Sequence, residues 1–359
     1  MIDLQYNFPL LPETPAQWSE RLLAAVSEEA KQAFDGLRPS FRLDLQPVVR
    51  SAAGWLGMPE ERLFLVEGMH HALLVALLAS GMAAQGLALD CLAYSGALEQ
   101  ARLLSTRLWP CAVDREGMTP SALESACQQA QRQGAPIRGV YLTPTVHNPL
   151  GITASLQRRL ELCEVARAFD LALFEDNAYG FLDPAAPASF AELAPERSFF
   201  LDGMSKCYAP AARLGFVLAP ERWRERVPVA IKNSTSGVSV PHARAVAGLI
   251  DDGVLEQVVA RKNQEGAWRN EQARRLLGEA VSPGVPNAWH LWVPLPERLS
   301  PQAFELHMAG KGVALSGGNW FAAAEAPNGV RLALGGEVER ARLLEGVALV
   351  AEQLQRLTA

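Results

Sequence analysis

Residues 137–176 read IRGVYLTPTVHNPLGITASLQRRLELCEVARAFDLALFED, with two apolar runs on either side of a charged, periodic segment. The runs 137–143 and 171–176 are rich in aliphatic and aromatic residues, which predicts strands. Between them, the spacing of apolar residues predicts a helix over 155–169 with one buried stripe. The stripe is formed by Leu156, Leu160, Cys163, Ala166 and Phe169. A strand, a helix and a second strand in this order predict a parallel β–α–β unit.

The same alternation extends across residues 63–219 and predicts an α/β fold, with a mostly parallel central sheet covered by helices. After about Val240 the pattern changes to a long helical stretch over 241–278, followed by strand-like runs and helices. We therefore predict two domains. A large domain covers 46–245, and a smaller α+β domain combines 1–45 with 246–359.

The composition is that of a globular protein large enough to bury its own core. The 359 residues are 49% apolar and 20% charged, and the net charge is −6, from 33 basic and 39 acidic side chains. No basic cluster is present, so nucleic acid is not expected as a partner. The five cysteines form no CxxC pair, so neither a zinc ribbon nor a disulfide framework is indicated.

Two observations bear on location. The N-terminus lacks the basic and apolar regions of a signal peptide. The longest apolar stretch, 72–84, is too short to cross a bilayer and is typical of a buried helix. We therefore expect a cytoplasmic protein without a membrane partner.

Four stretches with chemically useful side chains follow predicted strands, at the edge where open α/β sheets bind ligands. In the first, Gly68 begins a helix whose first residues, Met69 and His70, can bind an anion such as phosphate. A plain turn is the alternative reading. The adjacent His70 and His71 do not converge when they lie on a helix, so we predict no metal site.

The other three stretches supply an amide, a carboxylate and an amine. In NPLG, residues 148–151, either the Asn148 amide points into the cleft or the motif only starts a helix. Asp176 ends a strongly apolar strand, where a carboxylate is costly unless a cation or several donors face it; surface capping is the alternative. In LDGMSKCYAPAARLG, residues 201–215, Lys206 can form an imine with an aldehyde, and Arg213 can bind a phosphate.

Pyridoxal 5′-phosphate (PLP) requires these parts together. It needs a lysine for its aldehyde, an anion beside the ring nitrogen, donors to the phenolic oxygen, a phosphate site and an aromatic ring for stacking. The candidates, in that order, are Lys206, Asp176, Asn148 with Tyr179, Gly68 with Arg213, and Tyr94.

The order and spacing of these residues resemble the fold-type I aminotransferases. That family's pattern reads N-P-x-G, then D-x-x-Y, then S-K-x-x-x-P-x-x-R-x-G, which this sequence matches at 148–151, 176–179 and 205–215. The resemblance extends from about Leu45 to the C-terminus, and is closest to the aminotransferase-like domain of MocR-type regulators and their stand-alone relatives. It implies a fold-type I PLP-dependent transferase, a cofactor site that includes Ser205, and a homodimer.

The resemblance also implies a substrate site and a mechanism. Arg331, in NGVRLALGG, would bind the substrate α-carboxylate, and Asn148 would contribute to the same site. Lys206 would move a proton between the substrate Cα and the cofactor, with a pKa brought near neutrality by burial and by Arg213. The predicted reaction is transamination between an α-amino acid and a 2-oxo acid. Aromatic residues that either line the substrate pocket or belong to the core are Tyr6, Phe8, Trp320 and Phe321.

Two alternatives remain open at this point. The same scaffold can support elimination, cyclisation or oxidation of an amino acid. A non-catalytic PLP-sensing domain of the MocR type would carry a helix-turn-helix domain, for which we expect no room before Leu45. The sequence also departs from the family pattern at Gly203, usually serine or threonine, at Leu150, usually threonine, and at Ala211, usually glycine. These departures predict a reshaped phosphate site.

Overall fold

The computed structural model describes residues 1–31 and 43–358. The strands are β1 (Ile2–Leu4), β2 (Leu63–Val66), β3 (Gly86–Asp90), β4 (Arg107–Cys111), β5 (Val113–Asp114), β6 (Gly117–Met118), β7 (Ile137–Leu142), β8 (Ala172–Asp176), β9 (Ser198–Gly203), β10 (Gly215–Leu218), β11 (His290–Pro294), β12 (Val313–Gly317) and β13 (Gly329–Ala333).

The helices alternate with these strands in the first two thirds of the chain. They are α1 (Thr14–Lys31), α2 (Gln46–Leu56), α3 (Gly68–Ser80), α4 (Ser95–Leu103), α5 (Pro120–Arg132), α6 (Leu156–Ala168), α7 (Phe190–Leu193), α8 (Met204–Cys207), α9 (Val227–Ser234), α10 (Val240–Asp251), α11 (Val254–Leu277), α12 (Pro301–Gly310) and α13 (Arg340–Thr358). Short 3₁₀ turns lie at Glu60–Arg62, Gly180–Leu182, Glu221–Arg226, Gly278–Ala280 and Gly318–Trp320.

Within the described residues, the larger sheet has seven strands in the order β2-β10-β9-β8-β7-β3-β4. The pairs among β9, β8, β7, β3 and β4 are parallel, and only β10 runs against its neighbours. The predicted mostly parallel α/β sheet is therefore confirmed. Because the strands are parallel, the segments after β2, β3, β7, β8 and β9 meet at one edge of the sheet.

The smaller sheet has the order β1-β12-β13-β11. Strand β1 comes from the N-terminus and pairs in parallel with β12, whereas β13 pairs antiparallel with both β11 and β12. This pairing brings the first residues of the chain beside its last third. The division into domains at 45/46 and 245/246 remains a prediction; helix α10 spans the second boundary, and α1 packs against it.

The predicted buried stripe on the helix at 155–169 is wrong at its N-terminal end. Leu156 and Leu160 are 46% and 38% exposed, and the buried face is instead formed by Arg159, Leu162, Cys163 and Ala166. Arg159 faces inward because its guanidinium donates to the carbonyl of Pro144 and the hydroxyl of Thr145. These bonds satisfy a buried cation that the apolar pattern does not reveal.

The helical stretch predicted over 241–278 consists of two helices, α10 and α11, in the structure. Gly253 lies between α10 and α11 with a φ of 70°, a left-handed conformation that ends the first helix and that glycine adopts without a steric cost. Among the described residues, no helix has the length and apolarity required to cross a membrane. Each of the five cysteines is a buried free thiol.

Candidate active site

A cavity of about 530 Å³ lies at the carboxyl edge of the larger sheet, between it and the smaller sheet. Residues 5–8 from the N-terminus and residues 316–331 from the smaller sheet close its other side. The structure brings the whole set of predicted site residues together around this cavity: Gly68, Met69, His70, Tyr94, Asn148, Asp176, Tyr179, Ser205, Lys206, Arg213 and Arg331.

Lys206 follows strand β9 in the one-turn helix α8, and its amine reaches into the cavity. The amine donates a hydrogen bond of 2.6 Å to the backbone carbonyl of Asn7 and lies 4.1 Å from the centre of the Phe8 ring. Burial, and then the positive charge of Arg331, lower the pKa of Lys206 to about 7. The predicted near-neutral pKa therefore agrees with the structure, but the cations that contribute to it after burial are Arg331 and Lys262, and not Arg213.

Asp176 lies at the end of β8 and is buried, which excludes the alternative of a surface cap. Its carboxylate accepts hydrogen bonds from the Tyr141 hydroxyl and, at 3.0 Å, from the backbone N–H of Ala178. Burial raises the pKa of Asp176, and the charges of Lys206 and His70 oppose this shift. A carboxylate has more lone pairs than these two bonds use, so Asp176 can accept a further N–H bond from a ring placed in the cavity.

Asn148 and Tyr179 present hydrogen-bond donors to the same space. The side-chain oxygen of Asn148 accepts a hydrogen bond of 2.9 Å from Arg331, which leaves the amide nitrogen directed away from the arginine. The hydroxyl oxygen of Tyr179 accepts a hydrogen bond of 3.0 Å from the side chain of Asn7. Among residues 1–31 and 43–358, no acceptor contacts either the Asn148 amide nitrogen or the Tyr179 hydroxyl hydrogen.

The N-terminus of helix α3 forms the anion-binding end of the cavity. Gly68 has a φ of 77°, and a Cβ on Gly215 would lie 2.6 Å from the Gly68 carbonyl carbon, so both positions require glycine. This close approach joins the helix N-terminus to β10. Arg213 is exposed at this end and, within the described residues, makes no ion pair or hydrogen bond, so its guanidinium can bind a phosphate.

The two adjacent histidines of α3 have different partners. His70 forms a hydrogen bond with the Tyr94 hydroxyl, and the two rings are nearly perpendicular. The Nδ1 atom of His71 instead accepts from the backbone N–H of Glu67, while its Nε2 contacts Ser234. Burial, followed by the charge of Arg213, lowers the pKa of His70. His70 and His71 therefore bind different partners on different sides of the helix N-terminus.

The environment of Gly203 gives a physical reason for the missing hydroxyl. A Cβ at this position would lie 3.2 Å from the backbone oxygen of Leu214 and 3.5 Å from the backbone nitrogen of Met69. A side chain here would therefore press strand β9 against β10 and the start of α3. The close packing of these elements therefore leaves little room for a side chain at Gly203.

Arg331 lies on β13 and is 8% exposed. Besides Asn148, its guanidinium donates to the Gln5 carbonyl at 2.5 Å and to the Ser316 hydroxyl at 3.4 Å. Its Nε is buried without a hydrogen-bond partner in the described part of the chain, and the group lies 4.8 Å from the Phe321 ring centre. A buried guanidinium that faces a cavity and has one N–H without a partner is suited to bind a carboxylate.

The aromatic candidates all line the cavity. Tyr6 and Trp320 are 61% and 52% exposed at its rim, while Phe8 and Phe321 lie against Lys206 and Arg331, respectively. Their alternative assignment to the core is wrong for Tyr6 and Trp320.

Several contacting residues carry no recognisable motif and were missed by sequence reasoning. Asn7 contacts both Lys206 and Tyr179, and Gln5 contacts Arg331. Lys262 on α11 is fully buried and donates to the backbone carbonyls of Lys206 and Tyr208, at 2.9 and 2.6 Å. The only sequence signal for Lys262 is a lysine on the buried face of a helix, and no local signal identifies Asn7 or Gln5.

Comparison with known proteins assigns the family. The family model for aminotransferase class I and II matches residues 1–347. The chain belongs to this family. The predicted resemblance is therefore confirmed.

Two kinds of curated protein are similar in sequence to this chain. An uncharacterized HTH-type transcriptional regulator of Bacillus subtilis, YdeF, is 28% identical over 220 residues, which are 61% of this chain and 46% of the regulator. Aromatic-amino-acid aminotransferase 1 of Thermococcus litoralis is 26% identical over 273 residues, which are 73% of this chain and 65% of that protein. The chain thus spans about half to two thirds of the length of these curated relatives.

Solved structures confirm the fold. The multiple substrate aminotransferase of Thermococcus profundus superposes with a TM-score of 0.87 at 21% identity, covering 99% of this chain and 92% of that one. Kynurenine aminotransferase of Pyrococcus horikoshii, solved in complex with PMP, gives 0.87 at 23% identity, covering 100% and 92%. The chain has the fold-type I aminotransferase architecture.

Proposed function

We propose that this protein is a PLP-dependent aminotransferase that exchanges an amino group between an α-amino acid and a 2-oxo acid. The observation that carries the proposal is the placement of Lys206, Asp176 and Arg331 around one cavity. It combines a buried amine whose pKa is about 7, a buried carboxylate and a buried guanidinium with an unsatisfied Nε. Family membership and the fold support the same assignment.

The residues present fit PLP. Lys206 would hold its aldehyde carbon, Asp176 its ring nitrogen, and Asn148 and Tyr179 its phenolic oxygen. The start of α3, with Ser205 and Arg213, would hold its phosphate, and Tyr94 would contact the ring. The cofactor, when bound, supplies an electron sink that stabilises negative charge on the substrate Cα.

The protein's own groups would then bind the substrate and move one proton. Arg331 would bind the α-carboxylate through a charge-assisted hydrogen bond and so fix the orientation of Cα relative to Lys206. A lysine whose pKa is about 7 is partly neutral at physiological pH, so the Lys206 amine would be able to accept the proton from the substrate Cα and donate it again. Asp176 would keep the ring nitrogen protonated by charge pairing.

We further infer a homodimer, which the family resemblance of the sequence supports, and a location in the cytoplasm. Light scattering of the purified protein tests the dimer. A monomeric mass near 38.9 kDa would contradict it.

The proposal is tested by half-reactions with single amino acids. Purified protein is loaded with PLP and mixed with each amino acid in turn, while the visible spectrum is followed and the products are identified by mass. Transamination predicts the aminated cofactor and the matching 2-oxo acid in equal amounts, and the spectrum should recover when a second oxo acid is added. Ammonia with an unaminated cofactor would indicate elimination instead, and no product with any amino donor would contradict the proposed activity.

A further inference from the structure

Asn7 and His290 form a buried polar pair behind Tyr179, and neither residue belongs to a motif. Asn7 is 4% exposed, and His290, the first residue of β11, is 0% exposed. The Asn7 side-chain nitrogen lies 3.0 Å from the Tyr179 hydroxyl and 3.0 Å from His290 Nδ1. Buried polar groups that are hydrogen-bonded in series constrain the direction of each other's hydrogen bonds.

The directions of these hydrogen bonds are set at His290. Its Nε2 lies 3.0 Å from the backbone carbonyl of His147, which can only accept, so Nε2 carries the hydrogen. Burial lowers the pKa of His290 to about 3, so the ring is neutral and its Nδ1 has only a lone pair. The Asn7 group facing Nδ1 must therefore be the NH₂ and not the oxygen.

The orientation of Asn7 then determines the role of Tyr179. The two hydrogens of the Asn7 NH₂ go to two acceptors, His290 Nδ1 and the Tyr179 oxygen. Tyr179 already accepts in this bond, so its own hydrogen must go elsewhere. No acceptor for it contacts the hydroxyl among residues 1–31 and 43–358, and Tyr179 lines the cavity. The backbone carbonyl of the same Asn7 accepts from Lys206.

We propose that Asn7 and His290 are positioning residues, which direct the hydroxyl hydrogen of Tyr179 into the cavity, toward the phenolic oxygen of the cofactor. This inference rests on the proposed function, because that oxygen belongs to PLP. Replacing His290 with phenylalanine removes the acceptor that fixes Asn7. The amide of Asn7 can then rotate so that its oxygen captures the Tyr179 hydrogen, and the cofactor loses a donor.

The test measures the pH at which the bound cofactor changes its visible spectrum. The deprotonated cofactor carries negative charge on the phenolic oxygen, which a tyrosine donor stabilises. We expect H290F to raise this midpoint by about one to two pH units, the equivalent of one hydrogen bond to a charged group. N7A, which keeps the backbone carbonyl, should shift it in the same direction by a smaller amount.

A double-variant comparison separates positioning from a general structural effect. In a Y179F background the hydroxyl is gone, so adding H290F should leave the midpoint where Y179F alone places it. The groups whose charges act on His290 or Tyr179, which include Asp176, Lys206, Arg331 and His147, stay the same in all variants. The matched control is H307F, because His307 contacts Gln353 outside the cavity; its midpoint should equal that of the wild type.

Three midpoint results would overturn the inference: an unchanged midpoint in H290F, an unchanged midpoint in N7A if H290F does not fold, or a full H290F shift that persists in the Y179F background. A further readout needs no cofactor. In protein with ¹⁵N-labelled histidine, the resonances that disappear in H290F should show hydrogen on Nε2 only and should not titrate between about pH 5 and 8; hydrogen on Nδ1 would contradict the assignment. If wild-type protein forms no coloured complex with PLP, the proposed function fails, which is a distinguishable outcome.

Discussion

The two walls of the cavity are built in different ways. The sheet wall consists of the segments that follow parallel strands and carries Gly68, Asn148, Asp176 and Lys206. The opposite wall consists of residues 5–8 and the smaller sheet, with Arg331 on β13. On the sheet wall each side chain is placed by its own strand, whereas on the opposite wall the placement depends on β1 pairing with β12, more than three hundred residues away.

The difference explains why short motifs describe only one wall. A parallel strand delivers the next residues to a fixed edge, so spacing along the chain predicts spacing in the site. Asn7 instead contacts Lys206 through its backbone oxygen, while its side chain also contacts Tyr179. Gln5 contacts Arg331 through its backbone oxygen. Every residue has a backbone oxygen, so a contact made by this atom does not require a particular residue type and cannot be recognised as a motif. The walls nevertheless act on each other, because Arg331 lowers the pKa of Lys206 from across the cavity.

The largest effect is expected on the sheet wall, from K206A. This variant removes both the attachment point of the cofactor and the proton-transfer group, so turnover should fall by at least about 10³-fold. Reduction with borohydride followed by peptide mass analysis should attach the cofactor to residue 206 in the wild type and not in K206A. K311A changes an exposed lysine after helix α12 and should retain wild-type turnover and labelling. Substantial turnover by K206A would refute the assignment.

On the opposite wall, R331K should weaken substrate binding more than chemistry. Lysine keeps the charge but loses the geometry for carboxylate binding and for the bonds to Asn148 and Gln5, so KM should rise by roughly 10- to 100-fold. Steady-state kinetics with several amino acids should show a similar rise for each, since each has an α-carboxylate. A fall in kcat with an unchanged KM would place Arg331 outside the carboxylate site.

The coupling between the walls can be measured through pH. Only a neutral Lys206 amine attacks an aldehyde, so the rate of PLP uptake by cofactor-free protein should rise about tenfold per pH unit below 7 and level off above it. R331Q removes the positive charge with the larger effect of the two that lower the Lys206 pKa, so the midpoint should move to higher pH. R213Q is the matched control, because the charge of Arg213 does not contribute to the lowered pKa of Lys206; an equal change of midpoint in both variants would contradict this account.

The smallest effects on catalysis are expected from glycines of the sheet wall, which act on stability. In G215A the new Cβ would lie 2.6 Å from a backbone carbon, so the free energy of unfolding should fall by about 3 kcal/mol. In G203A the nearest atom is at 3.2 Å, and a loss of about 1 kcal/mol is expected. G54A on helix α2, with no atom within 4 Å, should be neutral or slightly stabilising. Urea denaturation checks the order, and a G203A variant less stable than G215A would reverse it.

The sequence alone determined the α/β architecture and the sheet wall. Period-two and period-3.6 patterns depend on neighbouring residues, and strand ends converge by the geometry of a parallel sheet, so Lys206, Asp176, Asn148 and Arg213 were predictable together. It also led to errors where a buried polar group replaced an apolar one, as at Arg159, and where one glycine, Gly253, divided a helical pattern.

Only the tertiary structure decided the opposite wall and the electrostatics. The pairing of β1 with β12, the cation that acts on Lys206 and the orientation of Asn7 by His290 all arise between segments far apart in the chain. The strength of a charge depends on distance and burial, and the direction of a hydrogen bond depends on what else its partners contact. Neither quantity is encoded in local spacing, because each is fixed only when the chain has folded.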